Sequence, residues 1–286
     1  VTTTIEKKRT CMDVFIVAAL LSAVCYGISD FAGGHASARA TIPPVLVISE
    51  CAGALTLWGI AWYTGITSMA VEIVVLAAIA GIIGAVGVAF LYHGIANRHT
   101  AVTVPISAVV CALVPVGYGM LSDGMPTTRV VMGIGVGIVA IVMTSWSGDI
   151  RQTAGLWQGV IAGSLFGWYF VCINAIETTD TYAMPLAISR SAALLVTIPW
   201  LVRKPVSRVH PPVIGFAILA GLADVGASWT FMMSSHAGRL DIAGVLASLY
   251  PAVTVALAYL ILREPITRPQ RWGLVTTLIA TALIAG

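Results

Sequence analysis

The chain has 286 residues, 58% of them hydrophobic and 9% charged, with a formal net charge of +3. A soluble domain carries about 25% charged residues, so this chain cannot clothe a surface that faces water. Its mean hydropathy of +0.96 predicts an all-α integral membrane protein whose first partner is the lipid bilayer. The positive charge is too small and too scattered for a nucleic-acid footprint. There is no zinc-finger spacing, no Walker loop and no Gly-x-Gly-x-x-Gly after a strand.

Lys7-Lys8-Arg9 followed by an apolar run has the look of a signal peptide. The run continues past Ala23 without a small-x-small site, so it is expected to remain as a span. Apolar runs set against polar or Pro/Gly breaks predict ten spans, near 12–33, 43–64, 71–95, 101–121, 129–146, 154–176, 183–202, 212–235, 242–262 and 269–286. Runs of about 20 apolar residues match a hydrocarbon core of ~30 Å. The connections are short, which favours antiparallel neighbours. The tenth run is the shortest, which leaves either a short helix or a C-terminus that extends further.

One constant offset, the step that carries Glu50 onto Arg190, aligns the spans and breaks. Tyr26-Gly27 meets Phe166-Gly167, Ile48-Ser49 meets Ile188-Ser189, and Gly81 meets Gly221. The run Val104–Gly133, with its turn Ser122-Asp-Gly-Met-Pro-Thr-Thr-Arg129, meets Gly244–Gly273, so that Thr127 falls on Thr267 and Gly133 on Gly273. Weak internal symmetry of this kind marks inverted-repeat transporters. Five spans per repeat is odd, so the second repeat enters the membrane from the opposite side. The expected organisation is an N-terminal tail (1–11), a first five-helix repeat (12–146), a linker (147–153) and a second five-helix repeat (154–286). The ten transmembrane helices would form two inverted repeats around a central cavity.

Orientation signals conflict. With ten spans, Lys7, Lys8, Arg9, Arg129 and Arg239 share the side of the termini. Arg39, Arg98, Arg151, Arg203, Lys204, Arg208, Arg263, Arg268 and Arg271 lie on the other. The positive-inside count places the termini outside, whereas the basic flank of the first span places them inside.

A charge within a span costs ~2.5–3.5 kcal/mol near the helix centre on insertion scales, so it needs a partner, a cavity or a function. Glu50 and Arg190 sit at equivalent repeat positions with opposite sign. Each is ~12 Å deep along its helix, from opposite faces. Separate roles are therefore expected, each facing the cavity from its own side, rather than a direct ion pair. Asp224 lies mid-span in Gly221-Leu-Ala-Asp-Val-Gly226, where a carboxylate suits a cationic group or a coupling proton; a neutral acid bonded between helices is the alternative. Asp30 is nearer a span end and reads as interfacial.

Tyr26, Tyr92, Trp168, Tyr169, Trp229 and Tyr250 lie inside spans, away from the interfacial belts where such rings collect. A buried hydroxyl or indole N–H needs a partner, and an amphipathic cavity wall supplies one; ordinary packing is the alternative. With Glu50, Arg190 and Asp224, these six complete the candidate substrate-binding set. Pro105, Pro115 and Pro251 make the fourth and ninth spans candidates for bending during gating, and Pro251 frees the carbonyl of Ala247. Gly81-x-x-Gly84-x-x-Gly87 and Gly133-x-x-x-Gly137 read as helix packing. The five cysteines show no Cys-x-x-Cys spacing, and His93 and His99 have no metal-spaced partners. No catalytic residue, metal site or cofactor is assigned.

Tyr26-Gly-Ile-Ser-Asp30-Phe-Ala-Gly-Gly34, Phe90-Leu-Tyr92-His-Gly-Ile-Ala96 with Ala101-Val-Thr-Val-Pro105-Ile, and Ser248-Leu-Tyr-Pro251-Ala-Val-Thr-Val with the turn Arg263-Glu-Pro265 together resemble EamA-type members of the drug/metabolite transporter superfamily. The resemblance covers nearly the whole chain. In the first repeat, Gly124-Met-Pro stands where that family usually has Gly-Glu-Arg. The resemblance implies two inverted five-helix repeats in a cell or inner membrane, with both termini cytoplasmic. It also implies ATP-independent export or exchange of small metabolites, amino acids or drug-like amines. Alternating access, with protons as a candidate coupling ion and a monomer or homodimer as the assembly, completes the expectation. An intramembrane enzyme or a structural membrane protein without a substrate are the competing readings. The first lacks a nucleophile–base pair or a large loop, and the second leaves the repeat unexplained.

Overall fold

The computed structural model describes residues 2–65, 69–96, 100–146, 155–177, 181–203, 209–263 and 265–285. The expected linker 147–153 lies outside the described residues, as do the side chains of Tyr92 and Pro105. The described residues form helices throughout: α1 (Thr2–Ser37), α2 (Ile42–Tyr63), α3 (Val71–Ala96), α4 (Thr100–Ser122), α5 (Thr128–Ser145), α6 (Leu156–Asn174), α7 (Ala183–Arg203), α8 (Pro211–Ala237), α9 (Leu240–Ala247), α10 (Tyr250–Leu257) and α11 (Arg268–Ala285). Eight segments among the described residues are long and apolar enough to cross a membrane, and Ile106–Ser122 of α4 is a shorter apolar helix. With α11, ten crossings fit the chain.

Breaks between helices follow local chemistry. Pro43 and Pro44 occupy the first turn of α2, and Pro211 opens α8, where the missing N–H is not needed. Gly124 turns the chain between α4 and α5 at φ +76°. The ninth span is not one bent helix. It breaks at Ser248-Leu249 between α9 and α10, with Pro251 in the first turn of α10. It ends in a π turn, Ala258–Leu262, whose cap Arg263 takes a left-handed conformation at φ 57°. Pro115, by contrast, sits buried within a continuous α4.

Helices α2 and α7 pack on each other, as do α5 and α11; α1 packs on α8 and α3 on α6; α2 meets α8 and α3 meets α7; α4 packs on α6, and α1 on α9 and α10. Close approaches come in pairs. A Cβ on Gly81 would strike the carbonyl of Ser189, and one on Gly221 would strike the carbonyl of Ser49. Gly133 lies against Ile284 and Gly273 against Thr144. Each of these partnerships maps onto its fellow by the step from Glu50 to Arg190. Gly27 lies against Val253 and Gly167 against Val114, where the step between the valines is one shorter.

Alternating crossings put the α2–α3, α4–α5, α6–α7 and α8–α9 connections on the face of the N-terminus, called face A here. The α1–α2, α3–α4, α5–α6, α7–α8 and α10–α11 connections fall to the opposite side, face B, and the α9–α10 break lies within the ninth span. Large apolar side chains such as Leu55, Leu195, Leu260 and Leu278 point outward, where lipid tails solvate them as well as a protein core would.

Adding one methyl group distinguishes tight from open sites. Gly81→Ala and Gly221→Ala are expected to destabilise by about 1–3 kcal/mol each through overpacking. Gly34→Ala, with nothing within 4 Å of its Cβ position, gains helix propensity instead. Thermal unfolding of the detergent-purified proteins reads both signs.

Candidate functional site: a charged cavity between the helices

A cavity of about 170 Å³ lies among α1, α2, α3, α4, α6, α7, α8 and α10. Its charged lining residues are Asp30, Glu50, Arg190 and Asp224. Asp30 and Gly33 come from the last turns of α1, Val45 and Leu46 from the first turn of α2, and Leu91 from the end of α3. The cavity therefore runs from the middle of the bundle toward face B. Below it, toward face A, large side chains are buried against one another. Phe170 stacks on Phe231 with ring centroids 4.2 Å apart, and Phe15, Ile173, Met232 and Leu246 are buried in the same cluster.

Arg190 is the centre of the polar network. Its Nη1 meets Glu50 Oε2 at 3.4 Å, and its Nη2 pairs with Asp224 Oδ2. Nη2 also donates to Ser228 Oγ at 2.9 Å. The side chains of Glu50, Arg190 and Asp224 retain only 12%, 12% and 22% of their exposure. Counter-charge at this range is what makes a buried guanidinium tolerable. Arg190 Nε is buried and has no hydrogen-bond partner among the described residues.

The expectation of separate roles for Glu50 and Arg190 is thus corrected. Two residues ~12 Å from opposite faces of a ~30 Å core are only ~6 Å apart along the membrane normal. Two long side chains cross that gap, and the packing of α2 on α7 brings them side by side. Asp30 is also not merely interfacial. It is exposed, lines the cavity and enters no ion pair among the described residues.

Ser228, which sequence reasoning passed over, joins four helices. Its Oγ lies 2.9 Å from Tyr169 Oη and 3.4 Å from Tyr26 Oη, besides accepting from Arg190. It sits four residues after Asp224, on the same face of α8, and that spacing was the available signal. Tyr26, Tyr169 and Tyr250 line the cavity, and Tyr26 tilts against Tyr250 at 6.4 Å. The two tryptophans do not. Trp168 is exposed on the outer side of α6, with its ring edge against Tyr118. Trp229 packs against Tyr182. A helix apolar all round gives no stripe to say which face turns inward, and both rings fall on other faces.

Removing the central cation should be worse than removing the whole network. Arg190→Met leaves two buried carboxylates without counter-charge and is expected to cost about 3–5 kcal/mol. The combined change Glu50→Gln, Arg190→Met and Asp224→Asn should recover most of that loss. Melting temperatures of the purified variants, ranked in that order, check the claim.

A solved crystal structure superimposes on the chain with a TM-score of 0.73 at 13% identity, covering 96% of each chain; a likeness at that identity speaks to fold alone. An uncharacterized protein of Methanocaldococcus jannaschii is 33% identical over 73 residues, 26% of this chain and 53% of that protein. The chain thus spans about half the length of that curated relative. The description of the EamA-like transporter family matches residues 153–286, the half that carries Arg190, Asp224, Ser228 and Tyr250. Over those residues, the chain is similar to the EamA-like transporter family.

Proposed function

We propose that the chain is a secondary, ATP-independent transporter that carries a small amine-bearing organic solute through this cavity. Two inverted five-helix repeats, residues 12–146 and 154–286, would expose the cavity to each side in turn. One observation carries the reading: a charged, aromatic-walled cavity in mid-membrane, built by helices from both halves and closed toward face A. The paired contacts of Gly81 with Ser189 and Gly221 with Ser49 support the inverted relation, because an inversion exchanges one contact for the other.

The lining favours a cation. Three carboxylates and one guanidinium face the cavity, and Arg190 is already matched by Glu50 and Asp224. Asp30 is then the carboxylate left to meet a solute ammonium, with the rings of Tyr26, Phe166 and Tyr250 nearby. Aromatic faces attract organic cations by about 0.5–2 kcal/mol. A volume of 170 Å³ is below the ~300–1,000 Å³ of sites for drug-sized ligands, which suits a smaller amine or amino acid. Protons remain the proposed coupling ion, and both termini are proposed to be cytoplasmic, so that the cavity would face outward.

Reconstitution into liposomes tests the reading. Saturable flux of labelled amines above empty vesicles is expected, and Asp30→Asn should weaken apparent affinity about tenfold or more, the equivalent of one charge-assisted contact. Flux equal to empty vesicles for amines and amino acids alike sinks it. Orientation has its own check: Arg98→Cys and Arg268→Cys should react with an impermeant maleimide added outside intact cells, and protection of both reverses the assignment.

A further inference from the structure

The side toward face A carries a clamp whose aspartate has no counterpart at the matching repeat position. Arg239 sits between α8 and α9 at face A. Its Nε donates to Asp241 Oδ1 at 3.1 Å and its Nη2 to Oδ2 at 2.8 Å. The same guanidinium donates from Nη1 to the carbonyl of Asp123 at 3.2 Å, and from Nη2 to the carbonyl of Gly124. Those two carbonyls belong to the α4–α5 turn, so one side chain ties the second half of the chain to the first. Asp241 is fully buried beneath it and caps the N–H of Ile242 at 2.8 Å. Hydrogen bonding to that carboxylate pushes the Arg239 guanidinium even higher than usual, so the clamp keeps its charge.

Packing converges on the same spot. A Cβ on Gly119 would fall 2.9 Å from the Asp241 amide nitrogen, and one on Gly244 would fall 2.5 Å from Pro115 Cγ. α4 is therefore pressed against α9 near face A, whereas its packing on α10 is slight among the described residues. The fourth and ninth spans form a wedge, closed at face A, with the cavity toward face B.

Shifting Arg239 and Asp241 back by the repeat step gives His99 and Ala101; the step one shorter gives Thr100 and Val102. Neither choice supplies a carboxylate. We infer that the Arg239–Asp241 clamp on the Asp123 and Gly124 carbonyls is a one-sided latch, which biases the resting protein toward the state sealed at face A and open at face B. The inference rests on the alternating-access reading above. To open face A, the α4–α5 turn must leave Arg239, and the matching positions Ala101 and Val102 bring no carboxylate to hold a guanidinium at face B in exchange.

The test uses single-cysteine versions of the full chain in liposomes. Ala243→Cys reports the seal, since Ala243 is fully buried at α9, and Ala85→Cys reports the cavity wall. Each is labelled with an impermeant maleimide, with and without Arg239→Gln. Losing a charge-assisted hydrogen bond should raise labelling of Ala243→Cys from face A about tenfold and lower labelling of Ala85→Cys from face B. A second variant, Arg239→Gln with Asp241→Asn, leaves no buried lone charge, and should give the same reciprocal shift in a stably folded protein. Faster labelling at both positions, which signals local loosening, overturns the latch, and so does no change at either. Amine flux measured in the same vesicles judges the transport reading separately: flux without reciprocity discards the latch and leaves the transporter standing.

Discussion

A guanidinium inside the hydrocarbon layer has to keep its counter-charges within reach, and Arg190 keeps two. Glu50 and Asp224 hold it from α2 and α8, and Ser228 takes the remaining bond. Those bonds tie α2, α7 and α8 to one mutual arrangement. The glycines serve that arrangement. A Cβ on Gly53 of α2 would fall 3.7 Å from Arg190 Cδ, and Gly221 lets α8 lie against the backbone at Ser49, next in the chain to Glu50. Small residues carry helix association in a lipid solvent, where apolar surface gains nothing by hiding. Here they also set the distance over which the ion pairs operate.

Much of the fold could be read in advance because the bilayer imposes a length. The second span was expected at 43–64 and lies at Ile42–Tyr63; the seventh was expected at 183–202 and lies at Ala183–Arg203. Side-chain facing could not be read in the same way. A span surrounded by lipid on one side and protein on the other is apolar on both, so Trp168 and Trp229 looked the same as Tyr26 and Tyr169. Glu50 and Arg190 stand out in the sequence as charges at matching positions, but depth along the helix axes, without the reach of the side chains, keeps them apart, whereas the folded chain pairs them. Asp241 was passed over for a different reason: it stands next to the end of a span, where a carboxylate is ordinarily wet, and only the folded chain shows it fully covered by Arg239.

Charge is spread unevenly between the proposed halves. The first supplies Asp30 and Glu50 to the cavity; the second supplies Arg190 and Asp224. Equivalent backbone positions therefore carry different chemistry, Glu50 against Arg190 being the clearest case. The cavity is thus lined by two carboxylates from residues 12–146 and by a guanidinium and a carboxylate from residues 154–286.

The π turn at Ala258–Leu262 bears on that lack of symmetry. Upstream of it, Val253 stands to Gly27 as Val114 stands to Gly167, one position short of the repeat step; downstream, Gly133 and Gly273 keep that step in full. A π turn holds one surplus residue inside a helix, where an ordinary turn would swing all later side chains by ~100°. Between these paired contacts the ninth span is thus one residue longer than the fourth. Its end toward face B therefore differs in shape from the matching end of the fourth span, which stays an ordinary α-helix to Ser122.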